Sequence, residues 1–242
     1  MRYADGQEDA LEIRAHARSG YFWAAVAVVL IAVTGFGRSY YFRPIFGRPS
    51  LPLLLHIHGL IMSLWCVLFF AQTWLVQARR VDLHRRLGLF GGALAILVVL
   101  LGAYVTVLAF EREAHQHVIG PFHYLLGINF VNLFLFAGLV TLGLLLRKRP
   151  EFHKRLMLLA TVSMLAPAVA RIALLYTHSG IAQLILFYFC VLTCVVVDTI
   201  RHQRLHPAMA WGALTIVLAF QGIYYGVQTH AWMNFVTRTF PA

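Results

Sequence analysis

Twelve histidines in 242 residues are the side chains here best suited to chemistry, because several stand at the ends of long apolar runs. Neutral imidazole is a ligand for iron, copper and zinc. An ionisable group within an apolar helix is costly and marks function more often than packing. Four of the twelve recur in matching contexts. His58-Gly-Leu-Ile-Met runs on to Asp82-Leu-His84-Arg-Arg-Leu, and His123-Tyr-Leu-Leu-Gly runs on to Glu151-Phe-His153-Lys-Arg-Leu. Each stretch has a histidine near the start of an apolar run of ~20 residues, long enough to cross a bilayer. A basic loop follows, then an acid, an apolar residue, the second histidine and two basic residues. The offsets between stretches, 58 to 123 and 84 to 153, differ by only a few residues, so the pattern reads as an internal duplication of a helical hairpin. It pairs His58 with His123 and His84 with His153. Two imidazoles on opposite sides of one planar ring make a bis-histidine haem, and bundle cofactor sites are commonly built from facing helices in this way.

The composition names the elements that must hold these histidines. Hydrophobic residues make up 60% of the chain and charged residues 12%, with a mean hydropathy of +0.74. Water-soluble domains carry about a quarter charged residues, so the chain reads as an all-α, polytopic membrane bundle. Seven apolar runs, at 21–37, 51–77, 87–110, 121–146, 155–176, 181–200 and 208–228, reach or approach the ~20 residues a helix needs to span the hydrocarbon. Their connections are short, so residues 1–242 make one integral membrane domain. The hairpins 51–110 and 121–176 form its four-helix core, flanked by the spans 21–37, 181–200 and 208–228.

Twenty basic against nine acidic residues leave a net charge of +11. In a soluble protein that excess would suggest nucleic acid; here the cations sit between apolar runs and report topology, with no nucleic-acid partner. Fourteen Lys and Arg residues flank one side of the spans and five the other, which puts the N-terminus in the cytoplasm and the C-terminus outside. The expected location is a plasma membrane, the inner membrane if the cell is bacterial. Asp5, Glu8, Asp9 and Glu12 precede the first run and argue against a cleaved signal peptide. Cys66, Cys190 and Cys194 all lie in apolar stretches, which excludes a disulfide framework or a zinc ribbon.

The order and sidedness of the four histidines resemble the cytochrome b561 family. The text that carries the resemblance is His58-x-x-x-Met62, Gln72 and Leu75-Val76 in the same helix, Leu83-His84 after a basic loop, Phe122-His123, and Arg149-Pro150-x-x-His153. It covers about residues 50–175, half the chain. The resemblance implies a transmembrane electron carrier with two b-type haems, in which the second and fourth helices ligate one and the third and fifth the other. On that reading His58 and His123 hold an outer haem, with Arg171 beside its propionates. His84 and His153 hold an inner one, with Arg86 or Arg155 in the corresponding role. Electrons would pass between a small-molecule or protein donor and an acceptor, as in a transmembrane oxidoreductase. The chain departs from the family one turn after His84, where a further histidine often stands and this sequence has Leu87 or Gly88, and in having seven spans instead of six.

Other residues keep alternatives open. His115, His117, His178 and His230 fall on the outer side and would suit copper or zinc; a quinone site or a structural subunit of a respiratory or photosynthetic complex is a further alternative, as is a homodimer. Arg171, deep in span five, needs a partner, either a propionate or a carbonyl freed at Pro167. Asp198 stands three residues before Arg201, the spacing of a helix ion pair. Gln72, Asn129, Asn132 and Gln221 read as interhelical hydrogen bonders. The segment 38–50, with three arginines among aromatic residues, reads as an interfacial belt or as an attractor for an anionic redox partner. Span seven has no lysine, so nothing there could form a retinal Schiff base.

Overall fold

The computed structural model describes residues 20–115, 119–177 and 179–239, and every regular element among them is helical. In chain order these are α1 (Gly20–Tyr41), α2 (Leu53–Gln77), α3 (Val81–His115), α4 (Ile119–Leu145), α5 (Pro150–Ser163), α6 (Ala166–Tyr176), α7 (Gly180–His202), α8 (Pro207–Gly226) and α9 (His230–Thr239). The last five residues of α1, Gly37–Tyr41, widen into a π turn. Six helices, α1 to α4, α7 and α8, are each long and apolar enough to cross a bilayer. Large apolar side chains such as Phe90, Phe134, Ile185 and Trp211 point outward along them, where only lipid could receive them. The protein is a helical, polytopic membrane protein.

The fifth expected span, 155–176, is two helices. α5 and α6 meet at a bend of 45°. Pro167 has no N–H to give the Ser163 carbonyl, and its ring clashes with that carbonyl; α5 ends at Ser163 for this reason. The Thr161 and Ser163 hydroxyls turn back to the carbonyls of Met157 and Ala160, at 2.9 and 2.8 Å, and so stay satisfied in a buried turn. The bent pair still crosses the bundle. Arg155, in the second turn of α5, bonds Asp198 near the end of α7 at 2.7 Å, while α6 ends four residues before α7 begins. α5 and α6 together therefore match the depth of the full-length α7, making seven crossings.

α4 is the most enclosed span. Its Phe136 packs with Leu159 of α5 and Met209 and Ile216 of α8, all fully buried. α2 joins this core through Trp65, whose ring stands edge-on to Phe136 at 4.8 Å and whose indole N–H donates to Thr161 at 3.3 Å. α1 lies against α6 so closely that a Cβ on Gly35 would come within 2.4 Å of the Ala168 carbonyl oxygen. Prolines open α5 and α8 at positions where a missing N–H costs nothing. The short α9, absent from the sequence expectation, packs Val236 and Trp232 onto Phe110 and Leu126 at the ends of α3 and α4.

Candidate functional site

The duplicated motif gives His84 and His153 the same local position. Each is the fourth residue of its helix, and each backbone N–H bonds the carbonyl four residues back, Arg80 or Arg149, at 3.0 Å. The bundle then brings the two side chains together: their ring centroids are 6.2 Å apart and their planes stand at 82°. Two imidazoles on opposite sides of one metal, with metal–nitrogen bonds of ~2 Å, have ring centres about 6 Å apart. Each ring is also anchored from its own hairpin. His153 Nδ1 lies 2.8 Å from the Gly143 carbonyl, which can only accept; Nδ1 therefore carries the proton and Nε2 keeps its lone pair. In the hairpin before it, the Gln72 amide takes the equivalent place. Its orientation is assigned from its neighbours: the oxygen is turned to accept the Gly88 N–H at 3.0 Å, which turns the nitrogen to the His84 carbonyl (3.2 Å) and to His84 Nδ1 (2.5 Å).

The outer pair is built differently. His58 is half-buried on α2 and its Nδ1 is enclosed without any hydrogen-bond partner. Buried polar atoms are seldom left so, and a neutral imidazole nitrogen without a partner can serve as a metal ligand. His123 is buried on α4, its ring 4.1 Å from that of Tyr124. No ring contact joins His58 to His123 among the described residues, in contrast to the inner pair. Arg171 stands near enough for its charge to act on His58. Its guanidinium donates to the Pro167 carbonyl at 2.8 Å and covers the Phe36 ring at 4.5 Å. His56 is exposed, beside the Tyr40 ring.

Arg86 is exposed on the first turns of α3 and forms no ion pair among the described residues. Arg155, its counterpart in the repeat, is turned to another task that sequence reasoning missed. Only 1% exposed, it donates to Asp198 through Nε (2.7 Å) and to the Glu151 carboxylate through Nη1 (2.6 Å). Tyr21 of α1 donates to the same aspartate at 2.7 Å, and Lys154 bonds Glu151 at 2.9 Å. His202 Nδ1 donates to the Asp198 backbone carbonyl at 2.8 Å. Local spacing points to Arg201 as the partner of Asp198; the structure gives it partners on α5 and α1, 43 and 177 residues away. The Arg201 side chain lies against Gly20. Beneath this cluster His206 caps α8 by accepting the Ala208 N–H at 3.1 Å, and its ring packs edge-on to Phe152. Burial, and then the Arg155 charge, push its imidazole below the ordinary value.

Of the amides expected to bridge helices, Gln72 joins α2 to α3 and Gln221 accepts from Tyr188 across α8 and α7 at 3.2 Å. Asn132 is buried with its Oδ1 unpartnered. The arginines of 38–50 fold their own loop: Arg38 covers the Phe46 ring, and Arg43 donates to the carbonyls of Ser39 and Pro49. His117, His178 and the side chain of His115 lie outside the described residues, and His230 is exposed. Among the described residues no three His, Cys, Asp or Glu side chains converge as a metal cage would require.

No family model, curated protein or solved structure matches this chain.

Proposed function

We propose that this protein is a membrane b-type cytochrome that holds two haems between paired histidines and carries electrons between the two faces of the membrane. The observation that supports this most is the inner pair. His84 and His153 come from the two copies of one motif, stand at the same helical position, and approach to 6.2 Å between ring centroids. At the outer face the orphan Nδ1 of His58 and the buried ring of His123 are the groups that fit a second haem. Bound haem would supply the one-electron chemistry. What the chain supplies is orientation and exclusion of water. The Gly143 carbonyl fixes the His153 ring and makes its Nε2 more basic, and the apolar bundle keeps the dielectric low. The excess of basic residues around the inner ends supports an N-terminus in the cytoplasm and a C-terminus outside. The donor and acceptor on this reading are small molecules or soluble proteins that reach either face.

The test is the visible spectrum of the purified protein, oxidised and then reduced with dithionite. A reduced α band of b-type haem is expected, at two haems per chain. His84→Ala or His153→Ala should remove the inner haem and spare the outer one; His58→Ala or His123→Ala should do the reverse. A colourless protein, or a spectrum unchanged when all four histidines are replaced, overturns the assignment. A colourless protein holding stoichiometric copper or zinc would favour the metal-binding alternative.

A further inference from the structure

A groove of about 500 Å³ runs between α4, α5 and α8 on the outside of the bundle. Its walls extend from Val131 on α4 to Leu146 just past that helix and from Pro207 to Ala219 on α8, with Phe152 and Leu156 of α5 also lining it. The twelve residue steps from Pro207 to Ala219 along α8 make it roughly 18 Å long at 1.5 Å per residue, slightly more than one leaflet of a ~30 Å hydrocarbon layer. Its lining is almost wholly apolar. The one hydroxyl on its wall, Thr215, donates to the Trp211 carbonyl of its own helix at 2.8 Å, and the indole N–H of the exposed Trp211 is the one other side-chain polar group in the lining. Such a slot suits a hydrocarbon chain.

The mouth is the opposite. Leu146 and Pro207 line one end of the groove; Arg147, Lys148 and Arg149 follow Leu146 directly, and Arg204 stands three residues before Pro207. All four are exposed, and none forms an ion pair among the described residues. The neighbouring carboxylates are already taken: Glu151 by Lys154 and Arg155, Asp198 by Arg155 and Tyr21. An apolar slot one leaflet deep, opening on four exposed cations that have no ion pair among the described residues, is complementary to an anionic amphiphile. We infer that the α4–α5–α8 groove is a binding site for an anionic phospholipid, with one acyl chain between the helices and the phosphate against Arg147, Lys148, Arg149 and Arg204. A neutral isoprenoid quinone would fill the slot equally well but leave the cations unanswered. The inference is independent of haem.

Gly138 offers a clean way to block the slot, because a side chain added there meets open space. The full-length protein is reconstituted in vesicles of equal phosphatidylglycerol and phosphatidylcholine, extracted, and its retained lipid measured by native mass spectrometry. The expected result is about one phosphatidylglycerol per chain, strongly preferred over phosphatidylcholine. Gly138→Leu should weaken retention about tenfold, since it displaces two or more methylenes from the slot. Arg204→Gln should weaken it about fivefold, as expected for one cation at a lipid headgroup. Circular dichroism and the melting temperature identify variants that have kept their fold. Equal retention of both lipids, undiminished retention by a folded Gly138→Leu variant, or a quinone retained in place of the phospholipid would each overturn the inference.

Discussion

Asp82-Leu-His84-Arg-Arg86-Leu opens α3 and Glu151-Phe-His153-Lys-Arg155-Leu opens α5, with the histidine fourth in its helix both times. Two residues further on the copies diverge. Arg86 is exposed and forms no ion pair among the described residues, whereas Arg155 is 1% exposed and bonded to Glu151 and Asp198. The acids diverge with them: Asp82 makes only a loose, exposed contact with Arg80 at 3.8 Å, while Glu151 binds both Lys154 and Arg155. The cause is position in the bundle. α3 starts at the rim, meeting α2 through Gln72 and α5 through His153, whereas α5 starts beneath α1 and α7, which bring Tyr21 and Asp198 to it. A repeated motif thus sets where a histidine stands on its first turn, and the neighbouring helices decide what its other residues do.

The largest effect expected from that difference is on stability. Arg155→Ala leaves Asp198 buried without its cation, which costs about 3–5 kcal/mol for a broken buried pair. Arg86→Ala, the same change in the other copy, should stay within ~0.5 kcal/mol, as for a surface residue. Unfolding of each variant in detergent micelles measures both, and similar losses would break the comparison. The double change Arg155→Met with Asp198→Leu should recover most of the loss, because no unpaired buried charge then remains.

Packing gives the next contrast. Gly35 abuts the backbone of α6, the continuation of the second hairpin, and Gly35→Ala should cost about 1–3 kcal/mol through overpacking. Gly92 on α3 has open space where its Cβ would go, so Gly92→Ala should be neutral or stabilise by up to ~1 kcal/mol through helix propensity. A smaller effect is expected where the hairpins touch. Trp65→Phe removes the hydrogen bond to Thr161 and keeps the aromatic contact with Phe136, for a loss of about 0.6 kcal/mol, typical of one side-chain hydrogen bond within a membrane.

What the sequence discloses follows from the range of each interaction. Membrane spans are local, since ~20 apolar residues suffice to mark one, and the runs 51–77 and 181–200 fall within a few residues of α2 and α7. Helix ends were less visible: α3 begins at Val81 and ends at His115, not at 87 and 110, because polar turns extend it at both ends. The break at Ser163 left one trace, Pro167. The His84–His153 contact was legible only because a duplication repeats its text. The Tyr21–Asp198–Arg155 cluster repeats nothing, joins residues up to 177 apart, and so left no pattern; two charges, Arg155 and Asp198, close to apolar sequence were its only signal.

The finest difference between the hairpins is the placement of one proton. A carbonyl holds His153 Nδ1 and obliges it to donate, so its Nε2 lone pair is free. An amide nitrogen donates to His84 Nδ1, which leaves the His84 proton on Nε2. In the haem-free protein at about pH 9, where imidazole is neutral, nitrogen-15 spectra of labelled histidine should therefore show His153 protonated at Nδ1 and His84 at Nε2, with His84→Ala and His153→Ala giving the assignments. Gln72→Glu places a carboxylate, which only accepts, beside His84 Nδ1. His84 should then move its proton to Nδ1 and match His153. Gln72→Leu removes both partners and should leave His84 a mixture of tautomers. On the proposed function Gln72→Glu also readies both Nε2 lone pairs for iron, and haem should be retained a few-fold better than in the parent. Finding both histidines already protonated at Nδ1 in the parent would mean that the Gln72 amide is turned over, its oxygen toward His84, and that the two hairpins orient their ligands alike.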